Sequence, residues 1–165
     1  MRSLRRFIWF IASRLFILLL LISILSVTFY YAMNATNIYV IIKDGMARRA
    51  QVIMMEEPSS GLSSYFLDSW IERDELLQQA LNGNGPYRNT SVTGFDHRIS
   101  MKYVWCWPWE HTAAANVEER IPSIDGKSVT GAVPAWTNAQ YTVVLTRDSG
   151  NWKIQNLTMT GILND

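Results

Sequence analysis

Residues 140–160 read QYTVVLTRDSGNWKIQNLTMT, and this stretch decides the class of fold. Gln140–Arg147 and Trp152–Thr160 are rich in β-favouring residues, and Asp148-Ser-Gly-Asn151 between them is a turn in which Gly150 can take a positive φ. The pair reads as an antiparallel hairpin. In its second strand Trp152 and Ile154 share one phase, while Leu157 and Met159 are shifted by one residue. That shift predicts a β-bulge near Gln155–Asn156 that bends the sheet.

Upstream, alternation begins at His97. Ile99, Met101, Tyr103, Trp105 and Trp107 fall on one face; Arg98, Ser100, Lys102, Val104 and Cys106 fall on the other. Pro108 stops this strand. Thr112–Ile121 reads as a weaker strand, blurred by three alanines and Glu118-Glu119, and Ser123–Val133 reads as a long turn-rich loop. Earlier still the period changes. Leu62, Tyr65, Phe66, Trp70, Leu77 and Leu81 share one side of a helix from Leu62 to about Leu81, bounded by breaks at residues 56–61 and 82–86. Ile38, Ile42, Met46, Ala50 and Ile53 form an apolar stripe on a helix over Asn34–Met55, with Lys43, Arg48, Arg49 and Gln51 off it. Helices followed by about four strands make an α+β fold, with helices packed on a curved antiparallel sheet.

Leu15–Tyr31 carries no charge, and Ala32 and Met33 extend it to the length of a membrane span. Trp9 and Tyr30–Tyr31 suit the two interfacial belts, and Arg14 can snorkel to the headgroups. A cleaved signal peptide fits less well, because the apolar run is long and cleavage after Ala35 would need a small residue where Met33 stands. Residues 1–31 hold Arg2, Arg5, Arg6 and Arg14 and no acid. The remainder holds eleven of the fifteen bases against all fourteen acids, a net of −3. By the positive-inside rule the N-terminus is cytoplasmic and residues 34–165 form an extracytoplasmic domain, beyond a basic tail of residues 1–14 and a transmembrane helix over residues 15–33. No breaker separates the span from the helix that follows, so the two are expected to run nearly continuously. An acidic outer domain excludes nucleic acid as a natural partner. A single cysteine, Cys106, excludes an internal disulfide.

The two helices, the aromatic strand and the hairpin Tyr141–Ile154 together resemble the nuclear transport factor 2-like superfamily over roughly residues 36–160. The resemblance implies a cone, in which a curved sheet wraps around helices. With its anchor, the chain is similar in architecture to inner-membrane assembly components of bacterial type IV secretion and conjugation machines, and to other anchored envelope proteins. That similarity implies envelope proteins as partners.

No catalytic, cofactor or metal motif emerges. Asp96 and His97 are strand neighbours pointing to opposite faces, so they form no dyad and read as a polar pair where a strand begins. His111 beside Glu110 has no ligand spacing for zinc and reads as an exposed turn. Cys106 reads as a small, partly buried residue. The sequons at Asn34, Asn89 and Asn156 matter only in a eukaryotic secretory pathway. The tryptophans are the unusual feature. Trp109 and Trp136 lie in loop-like segments beside prolines and are expected either to form a contact patch or to fold onto the core. His97, Met101, Tyr103, Trp105, Trp107, Tyr141 and Trp152 are the candidate lining of a cone cavity. The leading expectation is a non-enzymatic assembly or interaction module. The second is a binder of a small apolar ligand, and the third an isomerase- or dehydratase-like enzyme using His97.

Overall fold

A computed structural model describes residues 2–129 and 131–163, with the side chains of residues 2–8, including Arg2, Arg5 and Arg6 of the basic tail, outside the described residues. Its first element, α1, runs without a break from Arg2 to Met55. At 1.5 Å per residue these 54 residues make a rod about 80 Å long. The helix crosses the expected boundaries at residues 14 and 33 without interruption. It is the one described helix long and apolar enough to cross a membrane. From Trp9 to Tyr30 its side chains are exposed, except for half-covered Ser13. Beyond Tyr31 they alternate between buried and exposed, as an amphipathic stripe requires. Ile38, Ile42, Met46, Ala50 and Ile53 are almost wholly buried, so the stripe is the core-facing side of α1. Gly45 lies beside it, where a Cβ would come within 3.0 Å of Tyr65 Cβ and 3.3 Å of Ile154 Cδ1, so the missing side chain lets other segments pack against the rod.

The second predicted helix is not one helix. Residues 62–81 fall into three pieces: a 3-10 segment at Ser59–Ser64, α2 at Asp68–Ile71 and α3 at Glu75–Leu81. The cause is a competing partner. Ile154 N–H donates to the Tyr65 carbonyl at 2.7 Å, and Leu67 N–H donates to the Ile154 carbonyl at 3.0 Å, so the chain around Phe66 bonds to a strand edge. Asp74 then caps α3 by accepting from Leu77 N–H. Leu62, Phe66, Trp70 and Leu77 are buried as their spacing predicts, whereas Leu81 is exposed.

Among the described residues six strands follow: β1 Thr90–Phe95, β2 Arg98–Trp105, β3 Thr112–Arg120, β4 Ile124–Ser128, β5 Ala139–Asp148 and β6 Asn151–Ile162. The antiparallel order β2-β3-β5-β6 forms the main sheet. The β5–β6 turn is Ser149-Gly150, both at positive φ, the geometry that suits a two-residue hairpin. Between Val144↔Asn156 and Leu145↔Ile154 the register slips by one at Gln155, where the sequence phase places a bulge. The expected loop at Ser123–Val133 instead contains β4, which pairs with β1 in a separate two-stranded sheet; Thr130 in that stretch lies outside the described residues. Gly126 permits the pairing, since a Cβ there would meet the Ser91 carbonyl oxygen at 2.7 Å.

The faces of β2 also need correction. Its register slips between Met101 and Tyr103, leaving Lys102 as an extra residue. Ile99 and Met101 face the core, but beyond the slip Val104 and Cys106 turn inward, while Tyr103 and Trp105 are 52% and 45% exposed. A single bulge inverts every later side chain in the strand.

Candidate functional site

Arg49 lies one position before Ala50 of the apolar stripe and is buried with it. The expectation that it sits on the polar side of the helix fails because Asp74 reaches it. Arg49 Nε–H donates to Asp74 Oδ2 at 2.6 Å and an Nη2 hydrogen to Oδ1 at 3.1 Å, a two-point pair. The same carboxylate caps α3, so α1 and α3 are tied through one residue. The guanidinium lies between two indoles, its Cζ 5.9 Å from the ring centroids of both Trp70 and Trp136. Burial works against its charge most strongly, but the hydrogen bonds and attraction of Asp74 outweigh burial and raise its pKa. Arg48, in contrast, turns outward to Glu57.

Beside this pair is a second buried polar group. β3 presents Ala113, Ala115, Val117 and Glu119 to the interior at period two, and Glu119 is completely buried. His97 Nε2 stands 3.0 Å from Glu119 Oε1, and Trp136 Nε1–H donates to Oε2 at 3.2 Å. His97 thus has a carboxylate partner, but a distant one in sequence. Its neighbour Asp96 pairs with Arg98 at the surface. Tyr141 lies against the same carboxylate, and burial followed by the Glu119 charge pushes its hydroxyl up to about 12.

This shift sets an alkaline stability limit. The folded protein holds the Tyr141 proton more tightly than the unfolded chain, whose tyrosines ionise near pH 10. The contribution is therefore fully present below about pH 10 and is lost as pH rises through about 12, to a total of roughly 2–3 kcal/mol. Chemical unfolding at pH 9 and pH 11.5 should show the loss, and Tyr141→Phe should flatten it.

Arg49, Trp70, Asp74, Tyr87, Trp136, Tyr141, Leu157 and Met159 border an open cleft of about 710 Å³ between α2–α3, the 134–138 segment and β6. Of the seven residues expected to line a cavity, Tyr141 lines this cleft. His97 is turned to Glu119, and Met101 packs against the core. Trp152 is buried under Arg147, whose Cζ is 4.7 Å from its ring. Tyr103 and Trp105 face outward, and Trp107 joins its neighbours: Trp105 and Trp107 meet edge to face at 5.4 Å, and Trp107 and Trp109 stack at 5.2 Å.

The expected contact patch divides. Trp136 is buried in the cleft wall near one end of β3, whereas Trp109 is 70% exposed beyond the other end. Cys106 is buried, and burial raises its thiol pKa, which leaves it a poor nucleophile. Among the described residues no three or more His, Cys, Asp or Glu side chains gather into a metal-binding set.

Against protein-family models, curated proteins and solved structures, the chain matches none.

Arg49, Asp74 and Glu119 were not legible as site residues. Two signals were present: Asp74 three residues before Leu77 in a helix start, and Glu119 in phase with the small apolar face of β3.

Proposed function

We propose that this chain is a membrane-anchored, non-enzymatic interaction module of a cell-envelope complex, and that the cleft over Arg49–Asp74 is where its partner docks. In this reading α1 spans the cytoplasmic membrane with the arginine-rich end inside, and the remainder is an extracytoplasmic domain of nuclear transport factor 2-like type. A helix packed against a bulged antiparallel sheet supports that fold reading.

The observation that carries the proposal is the border of the cleft. β6 ends the main sheet, and beyond its bridge with Phe66 at Ile154 no described strand pairs with its outer edge. Leu157 and Met159 of this open half line the cleft, and Ile162 beyond them is exposed. An extended segment of another protein can add to such an edge through main-chain hydrogen bonds and set apolar side chains into the adjoining groove. The buried Arg49–Asp74 pair fixes the floor, so little ordering is required on binding.

A photo-cross-linking residue in place of Met159 should capture a discrete envelope protein in living cells, and one in place of exposed Val129 should not. Met159→Glu should reduce co-purification of that protein several-fold without lowering Tm. Equal capture from both positions would remove the proposal.

The apolar walls of the cleft, Trp70, Leu76 and Leu157, favour a second reading, a small apolar ligand. A rise in Tm with added lipids or envelope metabolites would select it. An enzyme reading has less support, because His97 is engaged by Glu119 and is not part of the cleft wall.

A further inference from the structure

We infer that Trp105, Trp107 and Trp109 form a second membrane contact, seated in the headgroup zone of the leaflet from which α1 emerges. This rests on reading α1 as a membrane span. Three hydrogen bonds set the height of the tryptophans. Tyr31 Oη–H donates to the Val104 carbonyl at 2.8 Å, which ties the end of β2 to the last apolar turn of the span. Arg147, at the end of β5, donates from Nη2 to Tyr30 Oη and to Asn34 Oδ1, each at 3.1 Å. The ends of two strands are therefore fixed at residues 30–34 of α1, where its fully exposed surface gives way to packed positions.

The chain leaving Val104 is Trp105-Cys106-Trp107-Pro108-Trp109. Cys106 turns inward and is buried, while the three indoles form a continuous ladder on the outside. Trp105 and Trp109 are exposed, and no described residue accepts from the Nε1–H of any of the three. Large apolar rings with one free donor each, held at the level of Tyr30 and Tyr31, match the chemistry of the bilayer interface, where the ring sits among acyl carbons and the donor reaches water or a headgroup. Arg147 adds a cation at the same level.

The test uses the whole chain in phosphatidylcholine vesicles containing lipid brominated near the headgroup end of the acyl chains, with tryptophan fluorescence as the readout. In Trp9→Phe the outer domain is intact and six tryptophans remain, three of them in the ladder. Its emission should fall by up to about half, as expected if the ladder tryptophans lie at interfacial depth. In the triple variant W105F/W107F/W109F, quenching should shrink to the part contributed by Trp9. Quenching of the triple variant with none in Trp9→Phe would mean that the anchor is inserted and the ladder stands clear of the bilayer, which overturns the inference. Absence of quenching in both would remove the anchor reading itself, and the inference with it.

Discussion

Replacing Arg49 by methionine is expected to destabilise the protein by roughly 3–5 kcal/mol, the usual cost of removing one member of a buried ion pair. Asp74 would keep its charge on a side chain that is only 8% exposed, with its two strongest donors gone. Asp74→Asn should cost a similar amount, because it strands the guanidinium between Trp70 and Trp136 and weakens the cap of α3. The double variant Arg49→Met/Asp74→Leu should recover much of either loss, since both charges then leave together and apolar surface fills the space. Urea unfolding of the full chain in detergent, followed by far-ultraviolet circular dichroism, measures all three. Additive losses in the double variant would show that the two residues are not energetically coupled.

Glu119→Leu is expected to cost about 3 kcal/mol, because two buried groups, His97 Nε2 and Trp136 Nε1, lose their hydrogen-bond partner at roughly 1–3 kcal/mol each. Glu119→Gln keeps an acceptor oxygen and should lose clearly less. Trp136 reports the change directly: its indole belongs to the cleft wall, so freeing Nε1 should red-shift part of the emission and loosen the cleft before the domain unfolds. An unchanged midpoint in Glu119→Leu would show that the carboxylate is solvated and outside the core.

The sequence was most legible where polarity contrasts sharply. The stripe Ile38–Ile53 stands out against Lys43 and Asp44, and its burial follows from the 3.6-residue period alone. The bulge at Gln155 was visible because Trp152 and Ile154 lie on one phase and Leu157 on the other. The slip at Lys102 left no such mark. After it both alternations are apolar, Tyr103 and Trp105 against Val104 and Cys106, so the pattern does not say which set is inside. β1 and β4 are short and polar, carry Gly94 and Gly126, and pair over long separations, as Thr90↔Ser128 and Phe95↔Ile124 show. The site was hidden for a related reason. A charged residue is buried only when its partner arrives, and Asp74 and Glu119 meet Arg49 and His97 through the fold, with no local pattern to announce them.

The unbroken helix α1 gives the molecule a fixed stature. Arg49 stands eighteen residues beyond Tyr31 on the same rod, so the cleft floor lies about 27 Å above the last apolar turn. No hinge intervenes, and the strand ends clasp the rod at Tyr30, Tyr31 and Asn34. In the proposed membrane-anchored reading, the rod would act as a gauge, holding the groove at one altitude and one compass bearing relative to the bilayer. On that reading a docking segment would have to be presented at that height, and a twist or vertical slide of the buried half of the rod would arrive at the groove undiminished.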